Sequence, residues 1–278
     1  MAEANVRAVN AMDFTGKDAL LEALHSDRAA FSQLVGRSEE EWTRETPCEG
    51  WQIRDLVGHM VHNSEDYLER FEGARAGKTF PDPVGLLVMA ELEDKGARRF
   101  RDVPRDELLR RLSSEADRLF EIFERLDEDQ WGSEIVNHAY MGPLPAFFYP
   151  VFQLMDYAVH TWDAQRALGI DKPLSDLSAA ILTPFMFILL QYTVDAQRAA
   201  NRTVTCGIKV SGQNGGSWKV TVDNGAFSYE PDGSDAAPAT FSFTPSEFVL
   251  TCFQRIRGGV ASGDRGVADT FRDLFFKV

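Results

Sequence analysis

Cysteine is scarce in this sequence. The 278 residues include only Cys48, Cys206 and Cys252, which are odd in number, far apart and without a C-x-x-C pair. A disulfide framework or a zinc site made of thiolates is therefore not expected, and a reducing cytoplasm is the expected setting. Cys48 lies just before a predicted helix, where a thiolate is favoured. We interpret it as a buried residue of the turn 46–48 rather than as a reactive thiol.

Basic residues and long apolar runs are also in short supply. The chain has 29 Lys and Arg against 43 Asp and Glu, a net charge of −14. Nucleic acid and anionic membranes are not expected as partners, because both require a basic surface. Residues 1–14 lack the basic-then-apolar pattern of a signal peptide. The most apolar run, 179–192, contains Pro184 and is shorter than the roughly 20 residues of a membrane span, so we expect a soluble protein.

What the sequence does contain is helical periodicity, on a chain long enough for two domains. Apolar residues at helical spacing predict four long amphipathic helices over about 18–35, 52–75, 104–127 and 147–168. Segment 84–103 is helical but weakly patterned, and 77–83 and 131–145 are expected to be loops. We predict an up-and-down four-helix bundle as the first domain, residues 13–170.

The character of the chain changes after this bundle. An apolar helix is predicted over 177–198, and it is followed by alternating β-branched segments. The predicted strands are 203–210, 217–222, 227–229 and 239–243, and the predicted final helices are 245–253 and 266–276. Residues 175–278 are therefore expected to form a small α+β domain, which makes the whole chain an α+β protein with two domains.

The fourth predicted helix carries a candidate metal-binding pair. Asp156 and His160 are four residues apart, so they lie on one face of a helix, where a carboxylate and an imidazole can bind one divalent ion. His59 is the best candidate for a third ligand, because it falls on the edge of its helix's apolar stripe, whereas His62 falls on the opposite side and is expected to face water. The alternatives are a solvated polar face for the pair and a core-edge histidine for His59.

Several segments resemble one family when they are taken in order. They are TPCEGWQIRDLVGHM at 46–60, the stretch 142–169 with its His-x-Trp-Asp motif, GGSWKVTV at 215–222, and QRIRGGVASGD at 254–264. Together they resemble the mycothiol-dependent maleylpyruvate isomerase family, whose members join a DinB-like metal-binding helical bundle to a sterol-carrier-type domain. Each segment by itself is weak evidence for the family. Their series is specific for the family and much less specific for one reaction.

The resemblance implies a divalent metal, usually zinc, held by His59, Asp156 and His160. Three protein ligands with an open fourth position are typical of a catalytic rather than a structural zinc site. Asp156 departs from the family, in which glutamate is expected; the shorter side chain must approach more closely or bind through water. Asp163 is a candidate for orienting a ligand histidine. His138 and Tyr149 are candidates for bordering the site.

The resemblance also implies mycothiol as a soluble thiol cofactor. A thiol bound to a divalent cation loses its proton, and the thiolate can add to an electron-poor double bond or attack an electrophilic carbon. The expected function is isomerisation or thiol transfer on a small, carboxylated molecule. Arg255, preferred by its motif position, or Arg257 would hold the carboxylate. Two alternatives are an enzyme of a secondary-metabolite pathway that no longer uses mycothiol and a non-enzymatic protein that binds a small molecule.

Overall fold

The computed structural model of the chain describes residues 8–277, so residue 278 of the predicted second domain lies outside the described part. The chain divides into two compact units. The first unit is Asn10–Leu174 and the second contains Ser175 onward together with Ala8 and Val9. The first is helical and the second contains a sheet, which confirms the predicted α+β class.

The first unit is built from four long helices, two shorter helices and a two-stranded hairpin. They are α1 (Lys17–Val35), α2 (Ile53–Arg75), α3 (Met89–Arg98), α4 (Arg105–Arg125), α5 (Glu128–Ser133), the hairpin strands β1 (Ile135–His138) and β2 (Gly142–Pro145), and α6 (Phe148–Ala167). Helix α1 packs against α6, and α2 packs against α3, α4 and α6. Apolar residues at three- and four-residue spacing form the buried face of each long helix, as the sequence predicts.

The start of α2 is firmly held. Gln52 and Asp55 form a capping box, in which the Gln52 backbone N–H donates to Asp55 at 2.9 Å. Arg101 donates to both oxygens of the buried Asp55 carboxylate, at 2.8 and 2.7 Å. In the preceding turn the Trp51 N–H donates to the Cys48 carbonyl at 2.9 Å, but Cys48 is half-buried rather than fully buried as expected.

The predicted loop 131–145 is wrong in part. It contains the end of α5 and an antiparallel hairpin, in which Ile135 pairs with Pro145 and His138 pairs with Gly142. Strands of four residues are too short to show alternation, and their glycine and prolines are typical of loops. Gly142 has a φ of 83°, the left-handed conformation that glycine adopts without strain. The hairpin fixes His138 on a strand.

The weakly patterned segment 84–103 is helical over α3 only, after a short 3-10 turn at Leu86–Val88. Helix α3 covers the side of α2 that bears His62, which is therefore half-buried and not turned to water as expected. A Cβ built on Gly96 would lie 2.0 Å from the His62 ring, so the two helices approach closely here. The wheel of α2 alone could not reveal this neighbour.

The second unit is a five-stranded sheet with helices. Its elements are α7 (Asp176–Thr193), α8 (Ala196–Ala199), β3 (Thr203–Val210), β4 (Gly216–Asp223), β5 (Ala226–Pro231), β6 (Ala239–Phe243), α9 (Pro245–Cys252), β7 (Val260–Gly263) and α10 (Arg265–Arg272). The strand order is β5-β4-β3-β6-β7, with β3 and β6 parallel and the other neighbours antiparallel. Helix α7 packs against α9, and α10 packs against β3 and β6.

Three features of this unit differ from the prediction. The last helix ends at Arg272 rather than at residue 276, and a turn follows it. The apolar helix ends at Thr193, and Asp195 accepts backbone N–H bonds that start the separate α8. Strand β7 was not predicted, because its four exposed residues carry no alternating pattern. Helix α7 is long and apolar enough to cross a membrane by length and composition, but 67% of it is buried inside the protein, as in the core helix of a globular domain.

Candidate metal centre

The candidate site lies between α2 and α6. His59 comes from α2, and Asp156 and His160 come from successive turns of α6. One ligand atom from each of the three side chains lies within 4.8 Å of the others. The centroids of the two imidazole rings are 4.9 Å apart. Tertiary packing thus brings together three residues that are separated by up to 101 positions, from 59 to 160, in the sequence.

The site is enclosed on most sides. His59 is 5% exposed and His160 is 6% exposed, whereas the Asp156 side chain retains 22% of its exposure. The Trp51 ring covers both histidines, at 5.1 Å from His59 and 5.8 Å from His160. Its indole N–H donates to Asp94 of α3 at 2.8 Å, which fixes the orientation of the ring. Of the three candidate ligands, Asp156 has the most exposed side chain, so the cluster is most open on this side.

His160 is held in the tautomer that a metal ligand needs. Its Nδ1 lies 3.0 Å from Oδ2 of the fully buried Asp163, one turn further along α6. A hydrogen bond at Nδ1 leaves the lone pair of Nε2 available, as in the carboxylate–histidine pairs of zinc sites. Burial lowers the pKa of His160 and outweighs the opposing effect of Asp163, so the ring is neutral. Asp163 thus contacts His160, and its role in orienting a metal ligand stays a prediction.

His59 contacts a carboxylate on each side. Its Nδ1 lies 3.1 Å from Oε2 of Glu93, a close ion-pair contact whose angles are not those of a hydrogen bond. Its Nε2 lies 3.7 Å from Oδ1 of Asp156. Burial lowers the pKa of His59, but Asp156 and Glu93 outweigh burial and raise that pKa to about 10. Burial likewise opposes the charge on Glu93, yet His59 lowers the pKa of this carboxyl to about 2.

Asn63 links the two helices at the site. It lies one turn beyond His59 on α2, and its amide nitrogen donates to Oδ2 of Asp156 at 2.9 Å. The same nitrogen is 3.2 Å from Nε2 of His59. This contact restrains the Asp156 carboxylate beside His59.

The β1–β2 hairpin is connected to the same cluster. The Tyr140 hydroxyl donates to Oε1 of Glu93 at 2.6 Å, and the Tyr140 backbone N–H donates to Nδ1 of His138 at 3.3 Å. Burial, above all, and the charge of Glu93 raise the pKa of Tyr140. Tyr149 is fully buried, and its ring centroid is 4.9 Å from that of Tyr67. His138 and Tyr149 thus belong to an aromatic wall beside the cluster.

The predicted carboxylate-binding arginines lie in the second unit, just after α9. Arg255 is half-buried and donates to the Phe253 carbonyl at 3.2 Å. Arg257 is exposed and forms an ion pair with Asp269 at 3.1 Å. Their role in holding a substrate stays a prediction.

Sequence reasoning missed several side chains that complete the site. Asn63 carried a signal, because it follows His59 by four residues and so shares its face of α2. Trp51 also carried one, as part of the Gly-Trp motif. Glu93 and Tyr140 carried none, because α3 is weakly patterned and the hairpin was not predicted. Glu93 reaches the site because α3 packs against α2, and Tyr140 reaches it by donating a hydrogen bond to Glu93.

The chemistry of these residues fits a divalent cation. Two imidazoles and one carboxylate are a known ligand set of catalytic zinc, and a fourth position would be left for water or a substrate. Each histidine has a carboxylate at its other nitrogen, Glu93 for His59 and Asp163 for His160. Such carboxylates orient ligand histidines and increase their basicity.

Comparison with known proteins identifies the family to which this chain belongs. The sequence matches the family model of the mycothiol maleylpyruvate isomerase N-terminal domain over residues 7–165. No curated protein matches significantly. A crystal structure of the mycothiol-dependent maleylpyruvate isomerase is 17% identical, with 89% of this chain and 94% of that chain covered and a TM-score of 0.59. A mutant of that isomerase gives 16% identity, the same coverage and a TM-score of 0.61.

A third solved structure covers a little over half of this chain. The colibactin self-resistance protein ClbS, in complex with double-stranded DNA, is 18% identical, with 57% of this chain and 97% of that chain covered and a TM-score of 0.45. At 16–17% identity the two isomerase structures show a shared fold, and the family rests on the sequence match across residues 7–165. Because that match spans more than half of the chain, the protein belongs to the mycothiol maleylpyruvate isomerase family.

Proposed function

We propose that the protein is a metal-dependent, thiol-using isomerase or thiol transferase. Its metal is zinc, its thiol is mycothiol, and its substrate is a small, electrophilic, carboxylated molecule. The observation that carries the proposal is the buried cluster of His59, Asp156 and His160, with ligand atoms within 4.8 Å of one another. Glu93 and Asp163 lie behind the two histidines, an arrangement suited to metal binding rather than to a solvated polar face.

Each residue of the site has a separate role in the proposed reaction. When bound, the divalent ion supplies the charge that converts a thiol to its thiolate near neutral pH. Glu93 and Asp163 hold the imidazoles, and Asn63 restrains the Asp156 carboxylate. The Trp51 ring keeps bulk water from the histidines. The open side at Asp156 is where a thiol and a substrate would enter.

Either reaction begins with attack by the thiolate. Its lone pair forms a bond to an electron-deficient carbon. In isomerisation the double bond becomes single, rotates, and re-forms as the thiolate leaves; in transfer the new carbon–sulfur bond is kept and another group leaves. Arg255 or Arg257 would bind the substrate carboxylate, as the family resemblance implies.

The direct test measures metal and thiol dependence together. Purified protein reconstituted with zinc should contain about one ion per chain, and His160→Ala should lose it. The matched control is His25→Ala, because His25 is half-exposed and pairs with Glu124 away from the cluster. Turnover of a cis-configured unsaturated keto acid should require both zinc and an added small thiol. A wild-type protein that binds no divalent ion would contradict the proposal.

Loss of the mycothiol requirement is the second candidate. The observation that favours it is Asp156 at the position where the isomerase family is expected to carry glutamate. A zinc enzyme of a secondary-metabolite pathway would turn over its substrate without added thiol. Thiol-independent turnover that is still lost in His160→Ala would favour this candidate over the first.

A third candidate is a non-enzymatic binding protein. The second unit contains a cavity of about 330 Å³ lined mostly by aromatic and aliphatic side chains, with Arg255 and Arg257 among its lining residues. Such a cavity is suited to a small apolar molecule with an anionic group. Ligand binding that persists in the metal-free protein, without turnover under any condition, would favour this candidate.

A further inference from the structure

Tyr67 lies on the face of α2 that bears the candidate ligand His59. His59, Asn63 and Tyr67 follow one another at steps of four residues, which places them one above another on a helix. Tyr67 is 6% exposed, and its ring centroid is 5.9 Å from that of His138. Its hydroxyl makes no hydrogen bond within residues 8–277. A phenolic hydroxyl that has no protein partner can donate its proton in a hydrogen bond to a bound group.

His138 offers a second donor beside Tyr67. It is also 6% exposed, and its Nδ1 accepts the Tyr140 backbone N–H at 3.3 Å. A neutral imidazole that accepts at Nδ1 carries its proton at Nε2, so Nε2–H is a donor. No hydrogen bond from this nitrogen occurs in the described chain. Burial lowers the pKa of His138 to about 4, which keeps the ring neutral at physiological pH.

Both donors adjoin the metal cluster. Burial, followed by the charges of Asp156 and Glu93, raises the pKa of Tyr67 well above its usual value, so the hydroxyl keeps its proton. Tyr140 connects His138 to the cluster, because its backbone contacts His138 and its hydroxyl donates to Glu93. The two donors are uncharged and held by rigid elements, α2 and the β1–β2 hairpin.

We propose that the Tyr67 hydroxyl and the His138 Nε2–H together bind the carbonyl oxygen of an α,β-unsaturated carbonyl substrate. Neutral donors bind an uncharged carbonyl oxygen, and their hydrogen bonds strengthen when that oxygen becomes negative. A pair of donors held in advance of the reaction therefore favours the charged intermediate over the substrate. The chemistry of the step rests on the proposed function, whereas the binding of the carbonyl does not.

The electron balance requires no further reagent. The thiolate lone pair forms the S–Cβ bond, the C=C pair moves to Cα–C, and the carbonyl pair moves to oxygen to give an enolate. The Cα–Cβ bond is then single and rotates. When the pairs return, the C=C bond re-forms in the trans configuration, the S–Cβ bond breaks and the thiolate is released. The Tyr67 and His138 protons stay on their residues throughout.

Infrared spectroscopy of a bound ketone tests the pair without turnover. The probe is 4-oxopentanoate with a ¹³C-labelled ketone, which has no carbon–carbon double bond and so cannot undergo the addition and rotation. On the zinc-loaded wild type, two hydrogen bonds should shift the ketone stretch to lower frequency. Tyr67→Phe and His138→Phe should each remove part of the shift, and the double variant most of it.

The matched control is Tyr157→Phe. The Tyr157 hydroxyl is buried and makes no hydrogen bond, and the Tyr157 ring packs against Phe31 and Phe120 in the bundle core. This variant should retain the full shift. A wild type without a shift, or an equal shift in Tyr67→Phe with unchanged zinc content, would overturn the proposal.

Turnover separates this proposal from the function it rests on. With a cis-configured unsaturated keto acid and an added thiol, Tyr67→Phe should lower kcat about 100-fold at unchanged zinc content, the size reported for one oxyanion donor. A Tyr67-dependent ketone shift in a protein without thiol-dependent turnover would refute the function and leave the carbonyl site standing. Turnover with an unchanged kcat in Tyr67→Phe would refute the carbonyl site alone.

Discussion

At the scale of single residues, the neighbouring carboxylates determine whether each histidine of the cluster is charged or neutral. His160 is neutral beside the fully buried Asp163, whereas His59 is flanked by Asp156 and Glu93. The two rings differ in pKa because His59 contacts two carboxylates and His160 contacts one, whereas burial disfavours the charged form of both. Asp156 and Glu93 stabilise the positive charge of protonated His59. A metal ion bound at the cluster would take the place of that charge.

Glu93 provides a sharp prediction at this scale. Glu93→Gln keeps the size of the side chain and the Tyr140 contact but removes the charge beside His59. Zinc affinity should fall about 10- to 100-fold, the usual cost of losing a carboxylate that orients a ligand histidine. Competition titration against a chelating dye measures the change.

The matched control is Glu91→Gln on the same helix. Glu91 is exposed and pairs with Lys95 at 2.6 Å, away from the histidines. Its zinc affinity should equal that of the wild type. Equal affinities for the Glu93 and Glu91 variants would mean that Glu93 does not orient His59.

His138 predicts a loss of stability in acid. Its pKa is lowered to about 4 by burial in the folded chain, against about 6.5 when unfolded. The unfolded state therefore binds more protons between these values, so the contribution is fully present above pH 6.5 and is lost as pH falls toward 4. The loss should reach about 3 kcal/mol, at 1.36 kcal/mol per pKa unit.

Urea unfolding at pH 7 and pH 4.5 measures this loss. His138→Gln should depend less steeply on pH than the wild type over this interval. The half-exposed His25, replaced in His25→Gln, serves as the control and should keep the wild-type slope. An unaltered slope in His138→Gln would show that other groups dominate acid unfolding.

At the scale of elements, the contact between α2 and α3 decides where Glu93 lies. Gly58 allows this contact, because a Cβ at this position would lie 2.4 Å from the Ala97 carbonyl oxygen. A backbone atom cannot move aside as a flexible side chain can. The two helices, and with them His59 and Glu93, depend on a residue without a side chain at this crossing.

Gly58→Ala should therefore separate α3 from α2. We expect a loss of about 1–3 kcal/mol in unfolding free energy, typical of overpacking in a core, together with weaker zinc binding. Denaturant unfolding and zinc titration of the same samples measure both effects.

The control glycine is Gly132 in α5, around which a built Cβ meets no atom within 4 Å. Gly132→Ala should be neutral or stabilising by up to about 1 kcal/mol, because alanine favours the helix. If Gly58→Ala were as stable as Gly132→Ala, the close approach of α2 and α3 would have no energetic consequence.

The scale of the whole molecule links the metal to the fold. The ligands lie on two helices that are distant in sequence, so an ion bound by all three would hold α2 and α6 together. Any ion that binds only the folded chain stabilises it, by about 2.7 kcal/mol at 100 times the dissociation constant. Zinc should thus raise the Tm of the full chain relative to the protein in chelator.

Asp156→Asn tests this link and keeps the shape of the ligand side chain. The variant should show a much smaller rise in Tm with zinc, because the site loses its charged ligand. Asp94→Asn, at the carboxylate that accepts from Trp51, leaves all three ligands in place and should keep most of the rise. Equal shifts in wild type and Asp156→Asn would argue against this carboxylate as a ligand.

The predictable parts of the fold are those determined by local patterns. Helices α1, α2, α4 and α6 and strands β3 and β6 formed where periodicity indicated, because long runs of alternating or helically spaced apolar residues suit one conformation. Short elements with little pattern were missed: the β1–β2 hairpin, the ends of α3, and β7. Their conformation depends on neighbours rather than on their own residues.

The sequence alone determined the two units' secondary-structure classes, the family, and the placement of His59, Asp156 and His160 on helices. A helical face follows from spacing, and the family from ordered motifs. Only the tertiary structure decided that Glu93 lies beside His59, that α3 covers His62, and that Tyr67 and His138 adjoin the cluster. Those contacts join residues far apart along the chain, and no local pattern encodes which surfaces meet when helices pack.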